Sequence, residues 1–436
     1  MRLNLAVLGG CFAHGRAGYR DGLQRRRVSI TMGLFKGLGI VIHRCSVSVE
    51  LGNPAVRDAV AGHQERSMQT VLSDDQVQFK HVVHRFFDTH STTTAVRGLA
   101  ETETGFDPAV WSQLSKTLGL PGTHLSELYG GHGFGPVELG IIMEEMGRTL
   151  YCGPFFSSAV MAGYALERFA DEAAKIERLP QIADGSIRAT LVLDDLNHPS
   201  QVGRLIAANQ AGALTGSAPI VLDGCSADVF FIVAREDSGL GLYALAAKAP
   251  GAEVSAQDSI DMTRKVARVT LQQADGTRIG SVSPQSLNRF WDLVSVALAH
   301  EMIGGAARLL DETVEYTKGR YQFGRPIGSF QALKHRCADL LMNLEFAKAA
   351  TQHAGFCLAA SDQETIYPSM AKAMAADCFM EMARAAIQLR GGIGFTWEND
   401  THLWFKRAKC DEVLLGAPYR HRARMMDILQ ETQDVA

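Results

Sequence analysis

Residues 316–336 read YTKGRYQFGRPIGSFQALKHR, and this stretch says most about the fold. A helical pattern ends near its start, a short segment rich in arginine and glycine follows, and Ser329 is placed to begin the next helix. Arg320 and Arg325 flank a turn that contains Phe323. Guanidinium groups and the N–H groups of a helix start bind phosphate oxygens, and an aromatic face stacks on a planar ring. Alone, the stretch fits either a clamp for a dianion or an interhelical turn with solvated arginines.

A second glycine-rich stretch lies at residues 388–400, which read QLRGGIGFTWEND. A helical pattern stops at Gly391 and Gly392, and a third glycine follows two residues later. One glycine is enough to end a helix. The repeated glycines therefore indicate that a ligand or another backbone approaches this turn closely.

Composition places the chain among globular proteins. It has 436 residues, of which 46% are hydrophobic and 21% charged, enough for two or three domains with large cores. The net charge of −4 gives no indication of nucleic acid as a partner. No stretch reaches the roughly 20 consecutive apolar residues of a membrane-spanning helix. The eight cysteines form no C-x-x-C pair, which indicates reduced thiols and a cytoplasmic protein.

The sequence from residue 68 onward divides into three regions that differ in hydrophobic periodicity and composition. Residues 68–188 have helical periodicity, with Ser73 as the predicted N-cap of the first helix. Residues 189–282 are short β-branched runs between turn residues, and residues 283–436 return to long amphipathic helices. The sequence therefore predicts a mainly α protein with a central β domain: an N-terminal helical domain, a small antiparallel β-barrel and a C-terminal four-helix bundle. Residues 1–67 lack a sustained period and are interpreted as a disordered leader or a start assigned too early, with a targeting segment as the alternative.

Two local patterns resemble known sites but lack their context. Residues 130–140 contain a G-x-G spacing, yet no strand precedes them and no βαβ unit surrounds them. His300 and Glu301 begin an H-E-x-x pattern, but Gly304 stands where the second histidine ligand would be. The sequence therefore predicts neither a dinucleotide loop nor a metal site.

Taken together, the two glycine-rich stretches resemble the acyl-CoA dehydrogenase family. There, R-x-x-F-G-x-P-I-x-x-F-Q and Q-x-x-G-G-x-G-F belong to the C-terminal helical domain. Residues 125–155, LSELYGGHGFGPVELGIIMEEMGRTLYCGPF, resemble the family's N-terminal signature. The resemblance covers almost all of the chain from Met68 onward. It implies the α,β-desaturation of an acyl-CoA thioester with FAD as cofactor and an electron-transferring flavoprotein as electron acceptor.

The resemblance also implies that the cofactor-binding residues lie at a subunit boundary. In this family the clamp and the glycine turn hold the adenine and pyrophosphate end of an FAD that is bound mainly by a neighbouring subunit. By position, Arg320 would contact the pyrophosphate. The other residues assigned to this cofactor contact are Gln322, Phe323, Gln331, Gln388, Gly391 and Gly392.

The chain departs from the family at the catalytic base. Members place the glutamate that removes the α-proton in one of two positions. Ungapped counts put these positions at Leu415 and Val294, neither of which takes a proton. Glu301, about two turns along the same helix, and Glu412, about one turn before Leu415, are displaced candidates. A structural ion pair explains either of them as readily.

The middle region departs from the family as well. Ile220, Val221 and Leu222 stand where members carry a Trp-Ile-Thr that holds the flavin ring, and residues 190–201 contain no Thr-Glu-Pro equivalent. The pattern resembles one subunit of the bacterial α2β2 acyl-CoA dehydrogenases of steroid side-chain degradation. In those assemblies one chain supplies the glutamate and its paralogue completes the cofactor site, and we expect this chain to be the completing subunit. The alternatives are a self-sufficient enzyme with a displaced base and a scaffolding protein of the same fold without flavin.

Overall fold

A computed structural model describes residues 26–29, 46–49, 71–362 and 365–434. The chain divides into two units, Met1–Met68 and Gln69–Ala436. The described part of the first unit is an antiparallel pair of strands, β1 (Arg26–Ser29) and β2 (Ser46–Val49). The rest of this segment, for which the sequence predicts a leader or an early start, lies outside the described residues.

Six α-helices form the first part of the second unit in the described chain. The first begins as predicted, because the Ser73 hydroxyl accepts the N–H of Gln76 at 3.2 Å and the Gln76 side chain accepts the N–H of Ser73 at 2.9 Å. A wider π-helical segment, Phe155–Ala162, leads into the fifth helix. The six are α1 (Asp74–His90), α2 (Thr93–Glu101), α3 (Pro108–Ser112), α4 (Pro136–Thr149), α5 (Gly163–Phe169) and α6 (Glu172–Ala183).

The middle region is one eight-stranded mixed sheet, where the sequence predicts a purely antiparallel one. Its strands are β3 (Ala189–Val192), β4 (Ile206–Ala208), β5 (Ala213–Leu222), β6 (Val229–Glu236), β7 (Gly239–Ala246), β8 (Ala252–Gln257), β9 (Val266–Asp275) and β10 (Thr277–Val282). Their order is β10-β7-β6-β4-β5-β9-β8, with β3 beside β6. β3 and β4 run parallel to β6. Parallel pairing needs a long connection, which the chain between these strands provides, and local alternation in the sequence does not show it.

Long helices return after the sheet. They are α7 (Pro284–Gly319), α8 (Gln331–Ala360), α9 (Tyr367–Arg390), α10 (Thr401–Val413) and α11 (Pro418–Asp434). α8 begins later than the predicted Ser329, because Ile327–Ser329 forms a 3-10 turn. α7 is long and apolar enough to cross a membrane, but 89% of its most apolar window is buried inside the protein. It is the central core helix of the fold.

Helices α4 and α7 cross in backbone contact through two glycines. Gly147 of α4 lies against the carbonyl group of Glu301, and Gly304 of α7 lies against the carbonyl group of Glu144. A β-carbon at either glycine would lie 1.9 Å from the facing oxygen. This reciprocal contact fixes the N-terminal helices on the central helix.

We expect Gly304→Ala to destabilise the protein by about 1–3 kcal/mol, because the added methyl group forces α4 and α7 apart. Denaturant unfolding of the full chain measures the change. Gly98→Ala is the matched control, since a β-carbon there meets no described atom within 4 Å and a helix gains about 0.5–1 kcal/mol from the exchange. Equal effects at both positions would contradict the close crossing.

Candidate functional site

The two glycine-rich stretches meet at one end of the helical bundle. The Tyr316 hydroxyl, in the last turn of α7, donates to the carbonyl oxygen of Arg390 at 3.3 Å. The Arg390 guanidinium donates to Thr313 Oγ1 at 2.8 Å and lies 5.5 Å from the centre of the Tyr316 ring. The segment that follows α7 and the turn that follows α9 therefore start from adjoining helix ends, as a shared ligand would require.

The segment after α7 is a β-hairpin of β11 (Tyr321–Gln322) and β12 (Arg325–Pro326). Phe323 and Gly324 form its turn with φ values of +54° and +77°. Positive φ at both central residues is the pattern of a type I′ hairpin turn. The Phe323 side chain is 91% exposed, so the hairpin presents an aromatic ring to the surroundings of the subunit.

The two arginines of the predicted clamp have different environments. The Arg325 guanidinium lies 4.0 Å from the centre of the Phe330 ring, a cation–π contact that holds it against the start of α8. Arg320 is exposed and has no carboxylate partner among the described residues. Gln322 and Gln331 are exposed on the same segment. No described carboxylate pairs with Arg325 either, but Arg325 is held on the Phe330 ring, so Arg320 is the arginine of this hairpin that no described side chain holds.

The turn after α9 leaves open space in front of its glycines. Gly391 adopts φ +68°, which favours glycine, whereas Gly392 does not need positive φ. A β-carbon at either residue would meet no atom of the described chain within 4 Å. Gln388 is exposed beside them, and Phe395 is 86% exposed. Because no described contact inside the subunit explains Gly392, the turn fits a cofactor or a second subunit that approaches from outside.

Apolar side chains close both expected positions of the base. Val294 is 0% exposed and Leu415 is 1% exposed. The two positions adjoin, because Trp291, one turn before Val294, donates its indole N–H to the carbonyl oxygen of Leu415 at 3.3 Å. A substrate carbon must come within hydrogen-bond reach of a base, and two fully buried side chains leave no room for it.

Buried donors hold the loop that carries Leu415. Lys372 Nζ donates to the carbonyl oxygens of Asp411 at 3.0 Å and Gly416 at 3.2 Å. His421 Nε2 donates to the Leu415 carbonyl oxygen at 3.0 Å. Burial lowers the pKa of Lys372 to about 8 and the pKa of His421 to about 3. These contacts hold the loop in a buried position.

Glu301 belongs to a buried ion-pair cluster that joins the sheet to the helices. Its carboxylate accepts from Arg264 at 2.6 Å and also from Arg407. Arg407 pairs with Asp261 at 2.6 Å, and Arg264 pairs with Asp411 at 3.3 Å. Burial acts to raise the pKa of Glu301, but the two guanidinium charges outweigh it and hold the pKa below its ordinary value. A general base is most effective with a pKa near the operating pH, so this environment does not suit one.

Glu412, the other displaced candidate, is paired on α10. Its carboxylate lies 2.5 Å from Lys409 Nζ, three residues earlier on the helix. Like Glu301, it therefore has a basic partner within its own subunit.

The strand expected to hold the flavin ring offers few polar groups. Val221 and Leu222 are buried in the sheet, and Ile220 is partly exposed. The next residue, Asp223, accepts from the Ser157 hydroxyl at 2.6 Å. Val221, Leu222 and Asp223 therefore make contacts within the chain.

Comparison with known proteins decides the family. Residues 73–186 match the N-terminal domain of acyl-CoA dehydrogenases, and residues 294–429 match the C-terminal domain. Acyl-CoA dehydrogenase IpdE2 of Mycolicibacterium smegmatis is 30% identical over 354 residues, which are 81% of this chain and 98% of that protein. The chain belongs to the acyl-CoA dehydrogenase family.

Solved acyl-CoA dehydrogenase structures share the architecture. The ChsE4–ChsE5 complex from Mycobacterium tuberculosis matches with a TM-score of 0.76 and 26% identity over 84% of this chain and 99% of the matched chain. The Tcur3481–Tcur3483 steroid ACAD matches with a TM-score of 0.74 and 26% identity over 83% and 99%. They confirm the predicted order of an N-terminal helical domain, a central sheet domain and a C-terminal helical domain.

FAD is the cofactor of acyl-CoA dehydrogenases, and only one half of its site fits here. The exposed Arg320 and Phe323 and the open space at Gly392 suit the adenine and pyrophosphate end. The buried Leu222 and Leu415 offer no polar side chain to the ring end. The assignment of the first half to FAD stays a prediction from local motifs. The ion-pair cluster was not predicted, because its members lie far apart in the sequence and leave no spacing pattern.

We expect Glu301→Gln to destabilise the fold by about 3–5 kcal/mol, because it removes one carboxylate charge from between two buried arginines. Denaturant unfolding of the full chain measures the loss. Glu412→Gln, which breaks an ion pair within one helix, should change stability by at most about 1 kcal/mol. A stable Glu301→Gln protein that loses activity would instead identify Glu301 as the base.

We expect the contribution of Asp411 to the stability of the chain to fall as the pH rises toward neutrality. Burial raises the pKa of Asp411 from 3.8 to about 7, so the folded protein keeps a proton that the unfolded chain has released. The stabilisation is complete below the unfolded pKa and is lost as the pH rises through the folded one. Between about pH 5 and pH 8, the melting temperature of the wild type relative to that of Asp411→Asn should therefore fall as the pH rises. Parallel curves would show that Asp411 remains ionised.

Proposed function

We propose that this chain is the completing subunit of a heteromeric, FAD-dependent acyl-CoA dehydrogenase. Its hairpin and glycine turn complete the FAD site of a paralogous partner subunit, and that partner supplies the catalytic glutamate. The observation that carries the proposal is the difference between the two half-sites of the chain. The outward half is exposed, and its Arg320 has no carboxylate partner among the described residues, whereas the inward half is filled with buried apolar and ion-paired side chains.

The outward half has the properties of a surface that another molecule covers. Phe323 and Phe395, at 91% and 86% exposure, are large apolar side chains in the two segments that follow adjoining helix ends. Large exposed apolar side chains of this kind are typical of binding surfaces. Arg320 adds a positive charge that suits a pyrophosphate. The open space in front of Gly391 and Gly392 allows a cofactor to approach the backbone of the turn closely.

The inward half lacks the groups that the reaction needs. When bound, FAD accepts the hydride from the β-carbon of the acyl thioester. Removal of the α-proton needs a carboxylate within reach, and neither Val294 nor Leu415 provides one. Glu301 pairs with Arg264 and Arg407, so its carboxylate serves to join the sheet to the helices. Val294, Leu415 and Glu301 therefore take no part in the proton step.

The identity of the partners rests on the related proteins. Both solved structures with 26% identity carry the names of two chains, and one of them is called a steroid ACAD. Both structures support a paralogous partner for this chain. The Tcur3481–Tcur3483 steroid ACAD also supports a bulky, steroid-derived acyl-CoA as substrate. An electron-transferring flavoprotein as electron acceptor and a cytoplasmic location complete the proposal.

Flavin absorbance tests the proposal on the full chain, purified alone and together with a paralogue from the same genome that carries the missing glutamate. We expect a colourless single chain and a yellow complex. In the complex, Arg320→Ala should weaken FAD binding by roughly tenfold or more, since a charge-assisted contact is lost. Arg336→Ala is the control, because this nearby arginine already pairs with Glu381 at 2.9 Å.

The opposite outcome is equally clear. A single chain that is yellow when purified alone and is bleached by an acyl-CoA would overturn the proposal. It would make the chain a self-sufficient dehydrogenase with its base at another position. Equal loss of FAD in the Arg320 and Arg336 variants would remove the assigned role of the hairpin.

A further inference from the structure

An arginine of the N-terminal helical region holds the segment that continues the glycine turn. Arg97 lies on α2, and its Nε donates to Asp400 Oδ1 at 2.7 Å. Its Nη2 donates to the carbonyl oxygen of Trp397 at 2.7 Å, with a longer contact of 3.4 Å to the carbonyl oxygen of Asn399. One guanidinium thus ties three residues of a loop that is about 300 residues away in the sequence.

The same guanidinium helps to fix the Trp397 ring. It lies 5.3 Å from the centre of that ring, and Lys406 Nζ lies 4.9 Å from it. The His402 ring stacks on the indole at 4.7 Å between ring centres. Cation–π contacts and stacking of this kind set the position of a ring. Trp397 is nevertheless 54% exposed, so part of an oriented ring remains available for contact.

The turn gains from such support because it contains three glycines, Gly391, Gly392 and Gly394. Glycines have the greatest backbone freedom, and ordering them on binding opposes association. Gly391 and Gly392 lie between the end of α9 and the segment held by Arg97. An anchor on each side, the Tyr316 contact before the turn and Arg97 after it, confines the turn before any partner arrives.

We propose that Arg97 is a positioning residue for the cofactor contact: it preorganises residues 391–400 so that the glycine turn meets the FAD of the partner subunit in a defined place. Asp400 neutralises the guanidinium at 2.7 Å, so Arg97 acts through the loop rather than as a ligand of the phosphates. The inference rests on the proposed function for its FAD, but the order of the loop belongs to this chain alone.

Amide hydrogen exchange of the full single chain tests the loop directly. In Arg97→Ala, residues 391–400 should exchange roughly tenfold faster, because charge-assisted hydrogen bonds are lost. Arg97→Lys should be intermediate, since a lysine keeps the charge but lacks the planar fork of N–H donors with which Arg97 reaches Asp400 and Trp397 together. Arg148→Ala is the control: this arginine also reaches from the N-terminal helices, to Asp311 at 3.1 Å, but does not contact the loop. Unchanged exchange in Arg97→Ala would overturn the inference.

The FAD dissociation rate of the purified complex tests the consequence. Arg97→Ala should release FAD roughly tenfold faster than the wild type, while Arg148→Ala retains it. Equal release rates would leave a purely structural arginine and overturn the positioning role. A wild-type complex without FAD would refute the proposed function, whereas the exchange experiment on the single chain would still stand. If Arg97→Ala does not fold, Asp400→Asn weakens the same contact from the loop side and should raise exchange and FAD release to a smaller extent.

Discussion

One buried carboxylate joins the three regions of the chain. The carbonyl group of Glu301 lies against Gly147 of the N-terminal helices, and its side chain accepts from Arg264 of the middle region and Arg407 of α10. Charges removed from water are stabilised only by close pairing, and loss of one partner leaves the others uncompensated. The relative placement of the helices and the sheet therefore depends on a cluster that tolerates neither a missing charge nor a missing glycine contact.

The ion-pair cluster around Glu301, which joins the three regions, is called the joint below. Its requirements conflict with those of a catalytic centre. A catalytic base needs room for a substrate and a pKa near the working pH. The joint needs full burial and a carboxylate that stays ionised between two arginines. Glu301 meets the requirements of the joint. Asp411, which also belongs to the cluster, accepts a hydrogen bond from Lys372 through its carbonyl oxygen, just before the loop that carries Leu415. The same stretch of the central helix cannot serve both purposes, and here it joins the three regions.

The sequence predicts what depends on near neighbours. The cap at Ser73, the end of α7 at Gly319 and the glycine turn follow from residues a few positions apart. The parallel strands beside β6 and the contacts of Arg97 do not, because their partners lie tens to hundreds of residues away. Glu301 shows the limit most clearly. Its place on the helix of Val294, about two turns along, made it a candidate for a displaced base, whereas nothing in the sequence connects it to the arginines that determine its environment.

In the proposed heteromer, one association step gives this chain its contact with FAD and also covers its exposed aromatic side chains. Phe323, Phe395 and Trp397 are exposed in the isolated subunit, where large apolar groups favour association. In the proposed heteromer the partner and its FAD cover them together. Anything that binds the assembled form alone stabilises it by mass action, so FAD occupancy and subunit association become linked equilibria. The preorganised turn strengthens that linkage, because a loop already held by Arg97 loses less entropy when the partner arrives.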